Sequence, residues 1–369
     1  MNTYAMSATL LLLVGIIPHD ISAFSIHTKS SWRRRPLPIT LYQAKGFGQA
    51  KATSVTSKSA GAANSKNNSN SIDNTKPTGN NNINTSSSSE NLRQIYSAPA
   101  LYDLAMGYRN YESEVEFLLW CHQQYSTQAC NPGSILEVAS GPGRHCMEAL
   151  KRHPDTIKRV IALDLSQDMV DYGKGVANDI LSDEELSRFT FLCEDMRSFV
   201  LGNSVDSAWI LAGSLQHMTT NNDVIQSLEA IHRALTANGT LIIELPHPNE
   251  AVFEMMDSTT NSWEVPLEDS EGKTYGELKV VWGDKDDEID PIQQVRQNTV
   301  VLNLEGVPDA ENQSVKGVVP LKLFTAQEID LLAKCSGFKV AAMYGALNEE
   351  VDIHNEDTAY RLVCVLNKV

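Results

Sequence analysis

The 369-residue sequence lacks the patterns that mark several common classes of protein. Its six cysteines form no C-x-x-C pair and no zinc-type spacing, so we expect no metal site. The N-terminal apolar run, Ala8–Ile17, has ten residues, whereas a transmembrane helix needs about 20. Positive charge is also scarce, with 30 Lys and Arg against 46 Asp and Glu. These absences argue against a zinc protein and against a stable membrane span in the mature chain.

The shortage of positive charge is concentrated in the larger part of the chain. Residues 91–369 hold 21 Lys and Arg against 43 Asp and Glu, a net charge of −22. Nucleic-acid affinity depends on basic side chains that neutralise phosphates, so we expect no DNA or RNA partner. The whole chain is 42% hydrophobic, which is enough for a buried core and too much for a wholly disordered chain.

The first 90 residues have the composition of a targeting sequence followed by a linker. Residues 1–23 resemble a signal peptide, with the apolar run followed by small residues, and residues 24–45 are basic and free of acid, as transit peptides are. Together they resemble the bipartite presequences of algae with complex plastids, which predicts a plastid location reached through the secretory route. Secretion, or retention in the ER lumen, is the alternative. Residues 46–90 are predicted to be a disordered linker, because 19 of residues 61–90 are Asn, Ser or Thr.

Short apolar strands alternate with amphipathic helices from about residue 95 onward. Predicted helices, such as Arg144–Arg152 and one that begins at Gln167, separate the predicted strands Ser134–Ala139, Arg159–Leu163, Phe189–Cys193, Asp206–Leu211 and Thr240–Leu245. This alternation is typical of a parallel sheet that is covered by helices on both faces. Ligands of such sheets bind beyond the carboxyl ends of the strands, so we expect the functional site there.

The loop after the first predicted strand carries the strongest local motif. Glu137 lies in that strand, and Gly141 and Gly143 lie between it and the next helix. Glycines at such a position let the backbone approach a ligand closely. The segment fits the pattern acidic-x-Gly-x-Gly-x-Gly, with Ala139 in place of the first glycine. An ordinary turn between a strand and a helix is the alternative.

Two other chemistries that use a glycine-rich loop do not fit this segment. A dinucleotide fingerprint would require a third glycine at position 146, where Cys146 stands. A hydrolase nucleophile at Ser140 would require glycines in place of Val138 and Pro142. The loop is therefore predicted to serve neither a nicotinamide cofactor nor a serine nucleophile.

Polar residues also follow the next predicted strands. Asp164 ends the second strand, 27 residues after Glu137, where a carboxylate can accept hydrogen bonds from ribose hydroxyls. Asp195 and Met196 follow the third strand, where the carboxylate can accept from an adenine amino group and the Met196 backbone can contact the ring edge. Polar residues at the ends of several successive strands are a more specific signal of a nucleoside-binding site than the glycine-rich loop alone.

These motifs, in this order, resemble those of class I S-adenosylmethionine-dependent methyltransferases, and of their small-molecule branch in particular. The resemblance implies a Rossmann-like α/β fold, with a seven-stranded sheet in the order 3-2-1-4-5-7-6, an antiparallel seventh strand and helices on both faces. It places one domain at residues 91–369, with residues 249–320 as a β-rich, substrate-capping insert after strand 5. The implied cofactor is S-adenosyl-L-methionine, with contacts from Glu137, Ala139, Gly141, Gly143, Asp164, Met169, Asp195, Met196 and Ala212.

Residues upstream of the first strand form a lid over the cofactor in similar enzymes. We expect Arg109 to pair with the methionine carboxylate of the cofactor and Tyr102 to face the sulfonium or the substrate. A helix with ordinary packed aromatic side chains is the alternative for this segment.

The resemblance implies methyl transfer to an O or N atom of a small-molecule acceptor by in-line displacement. His217, near the end of the fourth strand and titratable near neutrality, is the first candidate for a base, with orientation of a loop or substrate as its alternative role. His145 and His247 are weaker candidates. A protein-directed methyltransferase and a non-catalytic S-adenosylmethionine-binding module remain alternative functions.

Overall fold

The computed structural model describes residues 95–127, 130–250, 260–268, 272–307 and 314–369. The predicted signal peptide, transit-peptide-like segment and linker lie outside these residues. Within the described part, no helix combines the length and apolar character that crossing a bilayer requires.

Helices and strands alternate through most of the described chain. The helices are α1 (Pro99–Ala105), α2 (Tyr111–Tyr125), α3 (Arg144–Arg152), α4 (Gln167–Ile180), α5 (Asp183–Leu186), α6 (Asn221–Ala234) and α7 (Ala326–Cys335), with a 3-10 helix at Ser214–His217. The strands are β1 (Ser134–Val138), β2 (Arg159–Asp164), β3 (Phe189–Cys193), β4 (Val205–Ile210), β5 (Leu235–Pro246), β6 (Asn261–Glu268), β7 (Thr274–Trp282), β8 (Ile289–Asp290), β9 (Val295–Glu305), β10 (Ser314–Lys322), β11 (Phe338–Tyr344) and β12 (Arg361–Lys368).

The main sheet has seven strands in the order β3-β2-β1-β4-β5-β12-β11. Strands β1 to β5 pair in parallel, and β12 runs antiparallel to both β5 and β11. This is the predicted order 3-2-1-4-5-7-6 with an antiparallel seventh strand, so the predicted fold class is confirmed.

Helices cover both faces of this sheet because its strands are apolar on both sides. Leu136 and Val138 of β1 pack on one face with side chains of α6 and α7. Ile135 of β1 packs on the other face with side chains of α2, α3 and α4. The two-residue period of the strand therefore divides the apolar residues between two cores.

Strand β5 begins earlier than the sequence predicts. Asn238-Gly239, a dipeptide that is typical of turns, lies inside the strand, which starts at Leu235. Leu235 pairs with Val205 of β4, and the register then shifts before Thr240 pairs with Ser207. Asn238 and Gly239 therefore lie in an irregular stretch of β5, and the strand continues on both sides of them.

The β-rich insert after β5 is a second, antiparallel sheet in the order β10-β9-β7-β6, with β8 paired to β9. Its buried face, which includes Leu278 and Val300, packs with Ile95 and with Ala105 of α1. The indole Nε1 of Trp263 donates a hydrogen bond of 3.0 Å to the carbonyl of Ala105. The insert therefore supports helix α1.

We predict that Gly143→Ala lowers the free energy of unfolding by about 2 kcal/mol, because a residue with a Cβ is strained in left-handed backbone. The φ angle of Gly143 is +74°, and an added Cβ would lie 3.2 Å from both Ala162 Cβ and the Phe191 ring. Urea unfolding measures the change. Gly175→Ala in α4 is the control, because its Cβ would meet nothing within 4 Å and should stabilise the helix by about 0.5–1 kcal/mol. Equal stability of Gly143→Ala and the wild type would contradict the prediction.

Candidate functional site

A cavity of about 910 Å³ lies beyond the carboxyl ends of β1, β2, β3 and β4. This volume is near the upper end of the range for small-molecule sites. Residues of the segment that contains α1 form another part of its wall. Of the twelve residues predicted as cofactor contacts or as the first candidate for a base, eleven line the cavity: Tyr102, Arg109, Glu137, Ala139, Gly141, Asp164, Met169, Asp195, Met196, Ala212 and His217. Of the two weaker base candidates, His145 lines the cavity and His247 does not.

Gly143 is the predicted cofactor contact that does not line the cavity. It precedes α3 and faces β2 and β3, where Ala162 and Phe191 leave no room for a side chain. Its role in the loop is therefore close packing of the backbone on the sheet, and not contact with the cavity.

The backbone at the ends of β1 and β4 adopts left-handed conformations. Ala139 after β1 has φ +52°, and Ala212 after β4 has φ +54°. A left-handed conformation costs a non-glycine residue about 1 kcal/mol or more. Such strain persists where surrounding contacts fix the backbone, and these two residues both face the cavity.

Asp164 is held against the glycine loop. Its Oδ2 accepts a hydrogen bond of 2.7 Å from the Gly141 amide, and its Oδ1 accepts one of 2.8 Å from the Ser166 amide. Burial raises its pKa, and these backbone hydrogen bonds oppose that shift. Each carboxylate oxygen has a further lone pair, so these bonds are compatible with the predicted ribose contact.

Asp195 is paired with a residue that the sequence analysis did not include. Arg197 donates to its carboxylate from Nε at 3.0 Å and from Nη2 at 2.6 Å, and also contacts Asp223 at 3.0 Å. The Arg197 hydrogen bonds hold the pKa of Asp195 below its ordinary value. The predicted adenine acceptor is therefore already engaged by a neighbouring guanidinium.

A row of alternating charges, which we call the charge chain, runs along the base of the cavity. Its members, in spatial order, are Glu137, His145, Glu114, Arg109, Glu244 and Arg361. His145 lies between Glu137 and Glu114, with ring nitrogens 3.0 and 2.8 Å from their carboxylate oxygens. The chain links β1, α3, α2, β5 and β12.

Arg109 occupies the middle of the charge chain. Its Nε donates to Glu114 Oε2 at 3.0 Å, and its Nη2 donates to Glu244 Oε2 at 2.8 Å. The sequence analysis assigned this guanidinium to the cofactor carboxylate, whereas in the structure two of its five N–H groups bind protein carboxylates. Arg109 also lines the cavity.

Glu244 joins the charge chain to the end of β4. Its Oε2 accepts from the Ala212 amide at 2.8 Å, and its Oε1 lies 3.2 Å from Arg361 Nε. Burial alone would raise its pKa, but Arg109 and Arg361 outweigh burial and hold the pKa at about 2. Sequence reasoning missed Glu244, although a carboxylate inside the apolar strand Thr240–Leu245 is an available signal.

His217 lies in the 3-10 helix after β4 and contacts a second missed residue, Tyr96. The Tyr96 hydroxyl and His217 Nε2 are 3.0 Å apart. Burial lowers the pKa of His217 to about 4, so the imidazole is neutral at physiological pH. Tyr96 also contacts the Tyr102 ring edge-on, with 5.7 Å between ring centroids. The side chains of Tyr96, Tyr102 and His217 therefore form an aromatic cluster in the cavity wall.

Helix α1 is fastened to the wall of the cavity by an ion pair. Asp103 accepts from Arg144 of α3 through both carboxylate oxygens, and Tyr172 of α4 donates to it at 2.9 Å. Among the insert residues that the structure describes, none lines the cavity. The described part of the insert therefore contacts α1, which forms part of the cavity wall, and does not contact the cavity itself.

The sequence of the strands that build the cavity matches a known family. Residues 135–239 match the sequence model described as "Methyltransferase domain". Over these residues the chain is similar to that family. A curated relative, the Bacillus subtilis (strain 168) protein named "Putative methyltransferase YqeM", is 26% identical over 129 residues, which are 35% of this chain and 48% of the relative. The match thus spans about half of that relative's length.

Several solved structures share the fold. DesVI of Streptomyces venezuelae is 17% identical with a TM-score of 0.57, and the match covers 73% of this chain and 98% of that one. The S-adenosylmethionine-bound amino pentose methyltransferase CalS10 of Micromonospora echinaspora has 17% identity, a TM-score of 0.53 and coverage of 73% and 95%. The sugar N-methyltransferase KedS8 of a Streptoalloteichus species has 17% identity, a TM-score of 0.54 and coverage of 73% and 92%. At the level of fold and family, the predicted cofactor S-adenosylmethionine is confirmed.

We predict that Glu244→Gln lowers the free energy of unfolding at neutral pH by about 3 kcal/mol, because it removes the buried carboxylate that pairs with both Arg109 and Arg361. The pKa of Glu244 falls from 4.5 to about 2 on folding, so its stabilisation is present above pH 4.5 and is lost as the pH falls towards 2. The stability difference between wild type and variant should therefore shrink over that range in urea titrations.

Glu305→Gln is the matched control for this substitution. Glu305 also pairs with a cation, Lys279 at 2.8 Å, but on the exposed surface of the insert. Exposed pairs contribute little, so the change should stay below about 0.5 kcal/mol. Equal losses in the two variants would show that the charge chain has no special importance for stability.

Proposed function

We propose that this protein transfers a methyl group from S-adenosylmethionine to an O or N atom of a small-molecule acceptor. One observation carries the proposal: residues at the ends of four neighbouring parallel strands and residues around α1 face a single cavity. The methyltransferase match over residues 135–239 supports the same reaction.

The residues of the cavity fit the cofactor by their chemistry. The left-handed loop from Ala139 to Gly141 opens the backbone towards the cavity, and Asp164 is fixed beside it as a hydrogen-bond acceptor for ribose hydroxyls. Arg109 is held at the wall with donors that suit a carboxylate. When bound, S-adenosylmethionine supplies an electrophilic methyl group on a sulfonium.

The acceptor end of the cavity is assigned to the surroundings of Tyr96 and His217. Both side chains are neutral at physiological pH, and their hydrogen bond leaves the Tyr96 oxygen able to orient an acceptor hydroxyl or amine. His217 Nε2 is then the atom that takes up a proton, through Tyr96, as the acceptor is methylated.

A small acceptor suits the enclosure of the site and the charge of the protein. Helix α1, supported by the insert, covers the cavity, and the net charge of −22 over residues 91–369 disfavours nucleic acid. Two of the similar structures are described as amino pentose and sugar N-methyltransferases, which supports an acceptor of that size.

We predict that the full chain binds S-adenosylmethionine saturably and does not bind NADH, as measured by calorimetric titration of each. Asp164→Ala should weaken the first interaction by about 1–3 kcal/mol, because the ribose hydroxyls of the bound cofactor lose their acceptor. Asp171→Ala is the control, since its side chain is 62% exposed on α4. Unchanged affinity of Asp164→Ala would remove Asp164 from the site, and absence of binding by the wild type would overturn the proposed cofactor role.

We predict that His217→Ala lowers turnover more than it lowers cofactor affinity, once an acceptor has been found among amines and alcohols. Because burial lowers the pKa of His217 to about 4, the wild-type rate should show no titration of this histidine between about pH 6 and about pH 8. Steady-state rates and calorimetry on the same preparations measure the two effects. Equal losses in turnover and affinity would assign His217 a structural role.

A further inference from the structure

His145 is enclosed by two carboxylates in the interior of the domain. Its Nδ1 lies 3.0 Å from Glu137 Oε1, and its Nε2 lies 2.8 Å from Glu114 Oε2. An ionised carboxylate can only accept hydrogen bonds, so both ring nitrogens must donate to satisfy both contacts. Only the imidazolium carries a proton on each nitrogen, so this geometry requires the charged form of His145.

The other groups that face His145 do not displace that charge. The Tyr111 ring of α2 meets the imidazole edge-on, with 4.9 Å between ring centroids, and the Cys146 amide of α3 donates to Glu137. Arg109 shares Glu114 Oε2 with His145 and opposes its protonation. Burial alone would lower the pKa of His145, but Glu137 and Glu114 outweigh burial and Arg109 and raise the pKa to about 9.

We propose that His145 is a positioning residue of the cofactor site, whose positive charge holds Glu137 beside the glycine loop and Glu114 against Arg109. This role rests on the proposed function and deepens it. His145 is not suited to act as a base, because both of its ring nitrogens already carry protons in this arrangement. When His145 loses a proton, it can no longer donate a hydrogen bond to both Glu137 and Glu114. The positions of the glycine loop and of Arg109 are then less firmly fixed.

The consequence is a cofactor affinity that depends on the protonation of His145. Calorimetric titration of the full chain with S-adenosylhomocysteine, as a stable probe of the cofactor site, measures this from about pH 7 to about pH 10. His145→Gln carries no charge at any of these values. We expect its affinity to be about tenfold weaker than that of the wild type at about pH 7. Above about pH 9, where wild-type His145 is also neutral, the two affinities should converge.

The ratio of the two affinities at each pH isolates His145. Titration of the probe's own amino group, and of every other residue, acts equally on both proteins and cancels in the ratio. His153→Gln is the matched control, because His153 also contacts a glutamate of α2, Glu116 at 3.0 Å, but at an exposed site outside the cavity. Its affinity should follow that of the wild type throughout.

The outcomes separate this role from the proposed function. Failure of the wild type to bind the probe would overturn the proposed function and this role together. Binding with a ratio that does not change with pH would overturn the role alone. Nitrogen-15 NMR of histidine-labelled wild type gives a second test that needs no variant: the role requires two protonated ring nitrogens at about pH 7, and a neutral ring there would overturn it.

Discussion

The cavity end of the main sheet depends on the balance of the charge chain. Three carboxylates, those of Glu137, Glu114 and Glu244, lie where water is largely excluded, with side-chain exposures of 4%, 15% and 3%. Withdrawing an ion from water costs several kcal/mol unless a partner of opposite charge and good geometry offsets it. Each carboxylate is therefore matched by at least one cation, and removing any one member takes a partner away from each of its neighbours.

The same chain stabilises the strained backbone that opens the site. Ala212 holds a left-handed conformation at the end of β4, and its amide donates to Glu244 Oε2 at 2.8 Å. Ala139 holds the corresponding conformation two residues after Glu137, which is fixed by His145 and by the Cys146 amide. A strain of about 1–3 kcal/mol at each position persists because these contacts determine the local geometry. The ion pairs of the charge chain and the left-handed backbone at Ala139 and Ala212 therefore depend on the same contacts.

The apolar patterns were sufficient to predict the parallel strands of the main sheet, whereas the strand order and most of the site residues were predicted from the resemblance to class I methyltransferases. A parallel sheet brings the carboxyl ends of its strands together, so Asp164 could be placed at the site from the sequence pattern, whereas Ala212 was placed there by the resemblance. Partners could not be assigned in this way. Arg109 and Glu244 are separated by 135 positions, and nothing in either local segment indicates that they meet. The early start of β5 was missed because pairing with Val205 overrides the turn preference of Asn238-Gly239.

The structure divides the cavity into two electrical regions, and this division suits the proposed reaction. Near the glycine loop, the charges are paired and fixed, which provides specific contacts for a polar, charged cofactor. Near Tyr96 and His217, the wall is aromatic and neutral. When a neutral acceptor attacks a sulfonium, the positive charge is more dispersed in the transition state than in the reactants. Water stabilises the concentrated charge of the reactants more strongly, so a neutral wall that excludes water lowers the barrier relative to water. Helix α1 packs against the insert through Ala105 and is tied to α3 through the ion pair of Asp103 with Arg144. The insert and the main sheet therefore both hold the helix that forms part of the cavity wall.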